Sequence, residues 1–208
     1  MTNARTVTIS GRKVGRNQPC YIVAEVGINH NGDMSLAMET VKAAADSGAD
    51  AVKLQVFRAA DFIHPSFDHF DFIRQTELTR EEFSSLFHYA KDNSITLFAT
   101  PESIDDIRYL KTQKPPAIKI ASMDLNYKAL IQEAAGLHIP LILSTGMGYA
   151  PEIENALKWA EGKSNDEVIL LHCVSCYPTL PQEVKLGTIE ALSSLYDGPV
   201  GYSDHTEG

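Results

Sequence analysis

The chain has 208 residues, enough for one large domain or two small ones, and long enough to bury a core without a disulfide or metal staple. With 44% hydrophobic and 22% charged residues it has an ordinary globular composition, and 18 basic against 27 acidic side chains give a net charge of -9 with no basic run, which argues against nucleic acid or an anionic lipid surface as partner. Nothing approaches about 20 consecutive apolar residues, and the opening MTNARTVTISGRKVG lacks the apolar segment of a signal peptide, so the expectation is a cytoplasmic protein that does not enter membranes. Three cysteines, Cys20, Cys173 and Cys176, are too few and odd in number for a disulfide framework.

In chain order, TVTISGRKVG reads as a hairpin turning near Ser10-Gly11, which assigns residues 1–20 to an N-terminal hairpin that plugs one end of the domain. Seven short apolar, β-branched runs follow: YIVAEVG (21–27), ADAVKLQ (49–55), ITLFATP (95–101), AIKIAS (117–122), PLILSTG (140–146), VILLHCVS (168–175) and VGYSDH (199–205). Their near-continuous hydrophobicity marks strands covered on both faces, as in a parallel sheet. Helix punctuation lies between them. Thr79 with Glu82 forms a capping box, with Leu78 and Phe83 as a staple and Leu86, Phe87 and Ala90 continuing the stripe. Asp33, Ser103 and Asn126 are expected N-caps, Pro151 suits a first helical turn, and Gly48, Gly136 and Gly162 stand where helices stop.

Alternating strand and helix means right-handed βαβ units, closed either as a doubly wound sheet or as a β/α barrel. The segment after the first strand, Gly27-Ile28-Asn29-His30-Asn31-Gly32, lacks the G-x-G-x-x-G spacing of a dinucleotide site, so the barrel is favoured. A (β/α)8 TIM barrel has eight strands and typically about 250 residues. Residues 21–208 therefore read as a partial β/α barrel catalytic domain, truncated after the seventh strand.

The strands begin apolar and carry polar side chains toward their C-terminal ends, where a barrel builds its site. These are Glu25, Lys53 with Gln55, Thr100, Lys119 with Ser122, Ser144, and Ser203 with His205. Period-two alternation puts Lys53 and Gln55 on one strand face. Two lysines and several hydroxyls suit a compact anion bearing phosphate or carboxylate, while a glutamate, a histidine and an aspartate add either acid/base capacity or hard-cation ligands.

With AEVGINHNGDMSLA, SGADAVKLQ, LFATP, IKIAS, LILSTGM followed by PEI, LHCVSCYP and VGYSDHT in this order, the sequence from about Tyr21 onward resembles the sialic acid synthase family. That family condenses phosphoenolpyruvate with N-acetylmannosamine or related hexosamine derivatives on a β/α barrel, usually followed by an antifreeze-protein-like domain, which is absent here. The resemblance implies that Lys53, Thr100, Lys119, Ser122, Ser144 and Ser203 contact phosphoenolpyruvate. It implies that Gln55 and Tyr177 contact the amino sugar, that Glu25 is the carboxylate beside the reacting carbons, and that His205 is one of two histidine ligands of a divalent metal, Mn or Mg. The second histidine and a sugar-binding arginine from the partner subunit belong to motifs not found in this chain, so little activity is expected of it alone; the full-length family is expected to form homodimers. Two alternatives stand beside this reading: a phosphoenolpyruvate-dependent synthase of the deoxy-heptulosonate or octulosonate type, and a non-catalytic truncated barrel that binds sugar phosphates.

Other residues receive plainer readings. His172 is taken as a satisfied core histidine, and His30 as a loop residue that is also a secondary site candidate. Cys173 and Cys176 are taken as buried thiols. Asp105, Asp106, Glu152 and Glu154 are taken as first-turn helix acids.

Overall fold

A computed structural model describes residues 5–207. They divide into two compact units: the described residues of Met1–Cys20 with Ala117–Gly208, and Tyr21–Pro116. The hairpin forms as the sequence predicts. β1 (Val7–Ile9) pairs antiparallel with β2 (Arg12–Val14), and Ser10 and Gly11 take the positive φ angles of 47° and 81° that a two-residue hairpin turn demands. Val7 and Ile9 are buried while Thr8 between them is exposed. Arg5 ties the hairpin to its own unit, donating to the Asp166 carbonyl at 3.2 Å and pairing with Asp197 at 3.1 Å.

In Tyr21–Pro116, β3 (Val23–Gly27), β4 (Ala51–Val56) and β5 (Thr96–Pro101) pair parallel in sequence order. Helix α1 (Met34–Asp46) joins the first two and starts where Asp33 accepts from the Ser35 and Leu36 amides at 2.7 and 3.2 Å. Ala37, Val41 and Ala44 form its buried stripe. Two short helices, α2 (Ala59–Phe62) and α3 (Phe70–Gln75), then precede α4 (Arg80–Asp92). Four and six residues are too few for a periodic pattern, so these two were not legible in the sequence. The capping box at α4 is complete: the Thr79 amide donates to Glu82 Oε2 at 2.8 Å and the Glu82 amide to Thr79 Oγ1 at 3.2 Å. Ser103 caps α5 (Ile104–Gln113).

In the other unit, β6 (Ile118–Ile120), β7 (Leu141–Ser144), β8 (Val168–Cys173) and β9 (Val200–Ser203) are again parallel and in order. Helices α6 (Lys128–Ala135), α7 (Ala150–Glu161) and α8 (Gly187–Leu195) connect them. Asn165 staples two connections, donating to the Ala135 and Ile139 carbonyls at 3.2 and 2.9 Å and accepting from the Glu167 amide at 3.0 Å. Asn126 is not the cap of α6, because Tyr127 occupies that position and makes no side-chain cap bond. Glu154 lies past the first turn of α7, where it faces Lys158 one turn on.

Every strand run of the sequence reading is a strand, and the chain has the α/β fold of the TIM-barrel class. The expectation of strands covered on both faces holds for β4 to β8 and fails for β3 and β9. Val23 is 36% exposed and every residue of β9 is half-buried, since among the described residues β3 pairs only with β4 and β9 only with β8. No helix among the described residues is long and apolar enough to cross a membrane.

Candidate active site

Each unit carries its own cluster of strand-end polar side chains. In Tyr21–Pro116 the parallel register sets Glu25 beside Lys53, and Lys53 Nζ reaches Glu25 Oε2 at 3.0 Å and donates to Thr100 Oγ1 at 2.9 Å. The lysine side chain is 11% exposed and the glutamate 53% exposed. The register of β3 slips between Glu25 and Gly27, and Gly27 adopts φ 55°. This bulge re-aims the strand end. A Cβ on Gly27 would lie 3.3 Å from Glu25 Oε1 and 3.5 Å from Gln55 Oε1, so the glycine leaves room where those two oxygens approach. Gln55, on the same face of β4 as Lys53, donates from Nε2 to Glu102 Oε1 at 2.9 Å. Glu102 is buried just past the end of β5. His30 is buried, its Nδ1 accepts from the Gly32 amide at 3.1 Å, and burial pushes its pKa down. It holds the loop, as its plainer reading has it.

In the second unit Lys119, 7% exposed, donates to Ser144 Oγ at 2.5 Å and to the Ile120 carbonyl at 3.0 Å. Asp124 lies one short 3-10 turn beyond β6. Burial pushes its pKa up to about 6 against the opposing pull of Lys119, and its buried Oδ2 accepts no hydrogen bond from the described residues. Ser122 Oγ accepts from the Gly146 amide at 3.1 Å and sits 2.9 Å from Cys173 Sγ. A Cβ on Gly146 would fall 2.4 Å from that sulfur.

His205 donates from Nδ1 to the Val174 carbonyl at 2.6 Å, which leaves Nε2 as the lone-pair face, 3.4 Å from Ser203 Oγ. Tyr177, 77% exposed, stacks on the imidazole with centroids 4.1 Å apart, and the Thr179 amide donates to the His205 carbonyl at 2.8 Å. His172 is indeed a satisfied buried histidine, bonded to the Val184 carbonyl at 2.6 Å and stacked on Tyr202. Cys173 is buried, but Cys176 is exposed, because β8 ends at Cys173 and Cys176 already lies in the following loop.

A metal ligand histidine is commonly held this way, with its second nitrogen on a carbonyl. No group of three or more His, Cys, Asp or Glu side chains is arranged for a metal among the described residues. His205 is right in kind to serve as one ligand of the ion that the resemblance implies, and the steps below are derived from the chain's own side chains.

The structure thus joins Glu25, Lys53 and Thr100 in one unit. In the other it joins Lys119 with Ser144, and Ser203 with His205 and Tyr177. It adds two residues that the sequence reading passed over. Glu102 follows Thr100-Pro101, and Asp124 follows Lys119 and Ser122 by the short spacing of a strand end. Counting every polar residue within a few positions past each run would have found both.

The model of the NeuB family matches residues 40–208. The chain belongs to the NeuB family. It is 42% identical over 202 residues to MJ1065, an uncharacterized protein of Methanocaldococcus jannaschii, covering 97% of this chain and 60% of that protein. It is 34% identical over 212 residues to the N,N'-diacetyllegionaminic acid synthase of Legionella pneumophila, covering 93% of this chain and 60% of that one. Among solved structures, an N-acetylneuraminic acid (sialic acid) synthetase of Leptospira borgpetersenii in complex with citrate superposes with a TM-score of 0.95 at 35% identity, covering 99% of this chain and 72% of that one. The chain spans about 60% of the length of these curated relatives.

Proposed function

We propose that this chain is the barrel portion of a nonulosonic (sialic) acid synthase, which condenses phosphoenolpyruvate with N-acetylmannosamine or a related hexosamine derivative and releases phosphate. The observation that carries the reading is the pair of strand lysines, each seated against a strand-end hydroxyl: Lys53 on Thr100 and Lys119 on Ser144. A hydroxyl is a neutral partner that an anion's oxygen can replace at the ammonium with a gain in charge complementarity.

In this mechanism C3 of phosphoenolpyruvate attacks the aldehyde carbon of the open-chain sugar, positive charge develops at C2, water adds there, and phosphate leaves by C–O cleavage. Lys53 and Lys119 hold phosphate or carboxylate oxygens and balance their charge. Glu25 keeps Oε2 on Lys53 and is half exposed, so it has a second oxygen with which to orient the water or steady the charge at C2. Ser122, Ser144 and Ser203 supply hydroxyl donors, and Gln55 and Tyr177 meet the sugar. The Mn or Mg ion that the resemblance implies would polarise the aldehyde, and His205 Nε2 is the ligand this chain offers it. The reaction is cytoplasmic in this reading.

Calorimetric titration with phosphoenolpyruvate, followed by a phosphate-release assay with Mn, tests the proposal. Phosphoenolpyruvate binding, with only slow phosphate release upon addition of N-acetylmannosamine or its 6-phosphate, is the expected result. Release only with erythrose 4-phosphate or arabinose 5-phosphate would transfer the chain to the heptulosonate or octulosonate type. Binding with no release from any of these would make it a binder rather than an enzyme.

A further inference from the structure

The amide of a glutamine has one donor end and one acceptor end, and its neighbours decide which end faces the ligand. At Gln55 the decision is made by Glu102. Gln55 Nε2 donates to Glu102 Oε1 at 2.9 Å, so the N–H end of the amide is the end that faces the carboxyl group. The carbonyl end is thereby turned the other way, over Gly27, where Glu25 Oε1 also approaches the same open position. Glu102 is itself 9% exposed and follows directly on β5, so its backbone is anchored by a strand.

We propose that Glu102 is a specificity-determining positioning residue: it locks the Gln55 amide so that the substrate meets a hydrogen-bond acceptor there, and the group recognised is a donor, a sugar hydroxyl or amide N–H. A substrate bearing only an acceptor at that position, such as a keto or O-methyl analogue, is rejected because Gln55 cannot turn to meet it without abandoning the carboxylate. This rests on the reading above that Gln55 meets the sugar. Glu102 itself need touch no reacting atom.

Two measurements on the full chain separate the parts. In a ¹⁵N–¹H correlation spectrum the Gln55 side-chain amide, assigned by its loss in Gln55→Leu, should show one proton well downfield. That proton should move upfield in Glu102→Leu and shift by a smaller amount in Glu102→Gln, whose side chain has the same shape and keeps one acceptor. A Gln55 signal unmoved by both substitutions overturns the inference. In calorimetry with N-acetylmannosamine, in the presence of phosphoenolpyruvate, Glu102→Leu should weaken sugar binding about tenfold, the worth of one misaligned hydrogen bond. Phosphoenolpyruvate affinity should stay within about twofold, and Gln55→Leu/Glu102→Leu should bind no worse than Gln55→Leu alone. Additive losses, or an equal loss for phosphoenolpyruvate, overturn it. If the unaltered chain binds no N-acetylmannosamine, the functional reading fails, and the spectrum still decides whether Glu102 sets the amide.

Discussion

The two units solve one problem, a lysine inside an apolar strand, in different ways. Lys53 stands beside Glu25 in register and reaches a half-exposed carboxylate at 3.0 Å, so its charge is balanced at the edge of solvent. Lys119 is more deeply set, with the Ser144 hydroxyl and the Ile120 carbonyl against its ammonium and Asp124 nearby with a pKa pushed up to about 6. A lysine near solvent can trade its carboxylate for a ligand at small cost, because the released carboxylate rehydrates. A lysine in a buried hydrogen-bonded setting is oriented beforehand, and little is left to reorganise when an anion arrives. The first arrangement suits a group that shares its charge with the chemistry, the second a fixed anion anchor.

Removing each ammonium should give the largest effects and split the two. Lys53→Met and Lys119→Met should each weaken phosphoenolpyruvate binding by about 10- to 100-fold, the range for a charge-assisted hydrogen bond. Thermal stability should separate them. Lys53→Met leaves a half-solvated Glu25 and takes one donor from the buried Thr100 hydroxyl, which should lower Tm by about 1–3 °C, whereas Lys119→Met takes the donor from both a buried hydroxyl and a buried carbonyl and should lower Tm by about 3–6 °C. Calorimetry and differential scanning of the two variants make the comparison; equal Tm losses would mean that the two lysines are held alike.

Backbone tightness offers a second comparison. In one unit a Cβ on Gly32 would meet the Gln75 carbonyl oxygen at 2.0 Å, at a backbone φ of 76°. In the other a Cβ on Gly146 would meet Cys173 Sγ at 2.4 Å and the Cys173 carbonyl oxygen at 2.9 Å. Gly32→Ala suffers both strain and collision with backbone, and should cost about 3 kcal/mol, roughly 6–12 °C in Tm. Gly146→Ala collides with a side chain as well as backbone. Pairing it with Cys173→Ala should recover part of its loss, and no recovery would place the clash on the Cys173 carbonyl oxygen and on Ser175 Oγ, each 2.9 Å from the added Cβ.

Much of this was legible in the sequence because the physics is local. Apolar runs gave all seven strands, Asp33, Ser103 and the Thr79–Glu82 box gave helix starts, and Ser10-Gly11 gave the hairpin turn. What was not legible depends on contacts across elements. The short helices α2 and α3 carry no period, and Asn126 lost its cap role to a one-residue shift of the helix start. Glu102 and Asp124 acquire meaning only from what faces them, Gln55 in one case and a burial that leaves a carboxylate oxygen unbonded in the other. The lysines were legible because an ammonium in an apolar run demands an explanation; a carboxylate just past a strand does not.

The finest contrast is electrostatic. Asp124 titrates higher in the folded chain than in the unfolded one, so between the ordinary aspartate value of 3.8 and about 6 the folded state binds more protons. Stability therefore falls as pH rises through that window, and the loss is complete above it. Glu25, solvated and beside Lys53, has no comparable burial to contend with. Asp124→Asn removes a charge that burial disfavours while keeping the side chain's shape. The variant should match the unaltered chain near pH 4 and exceed it by about 2–4 °C in Tm at pH 7.5, a discounted gain of about 1 kcal/mol for a half-buried group. Melting curves across this range read the sign directly: a variant less stable at pH 7.5 would show that the Asp124 carboxylate is held by Lys119 more strongly than burial disfavours it, and the two lysines would then be balanced by carboxylates in the same manner.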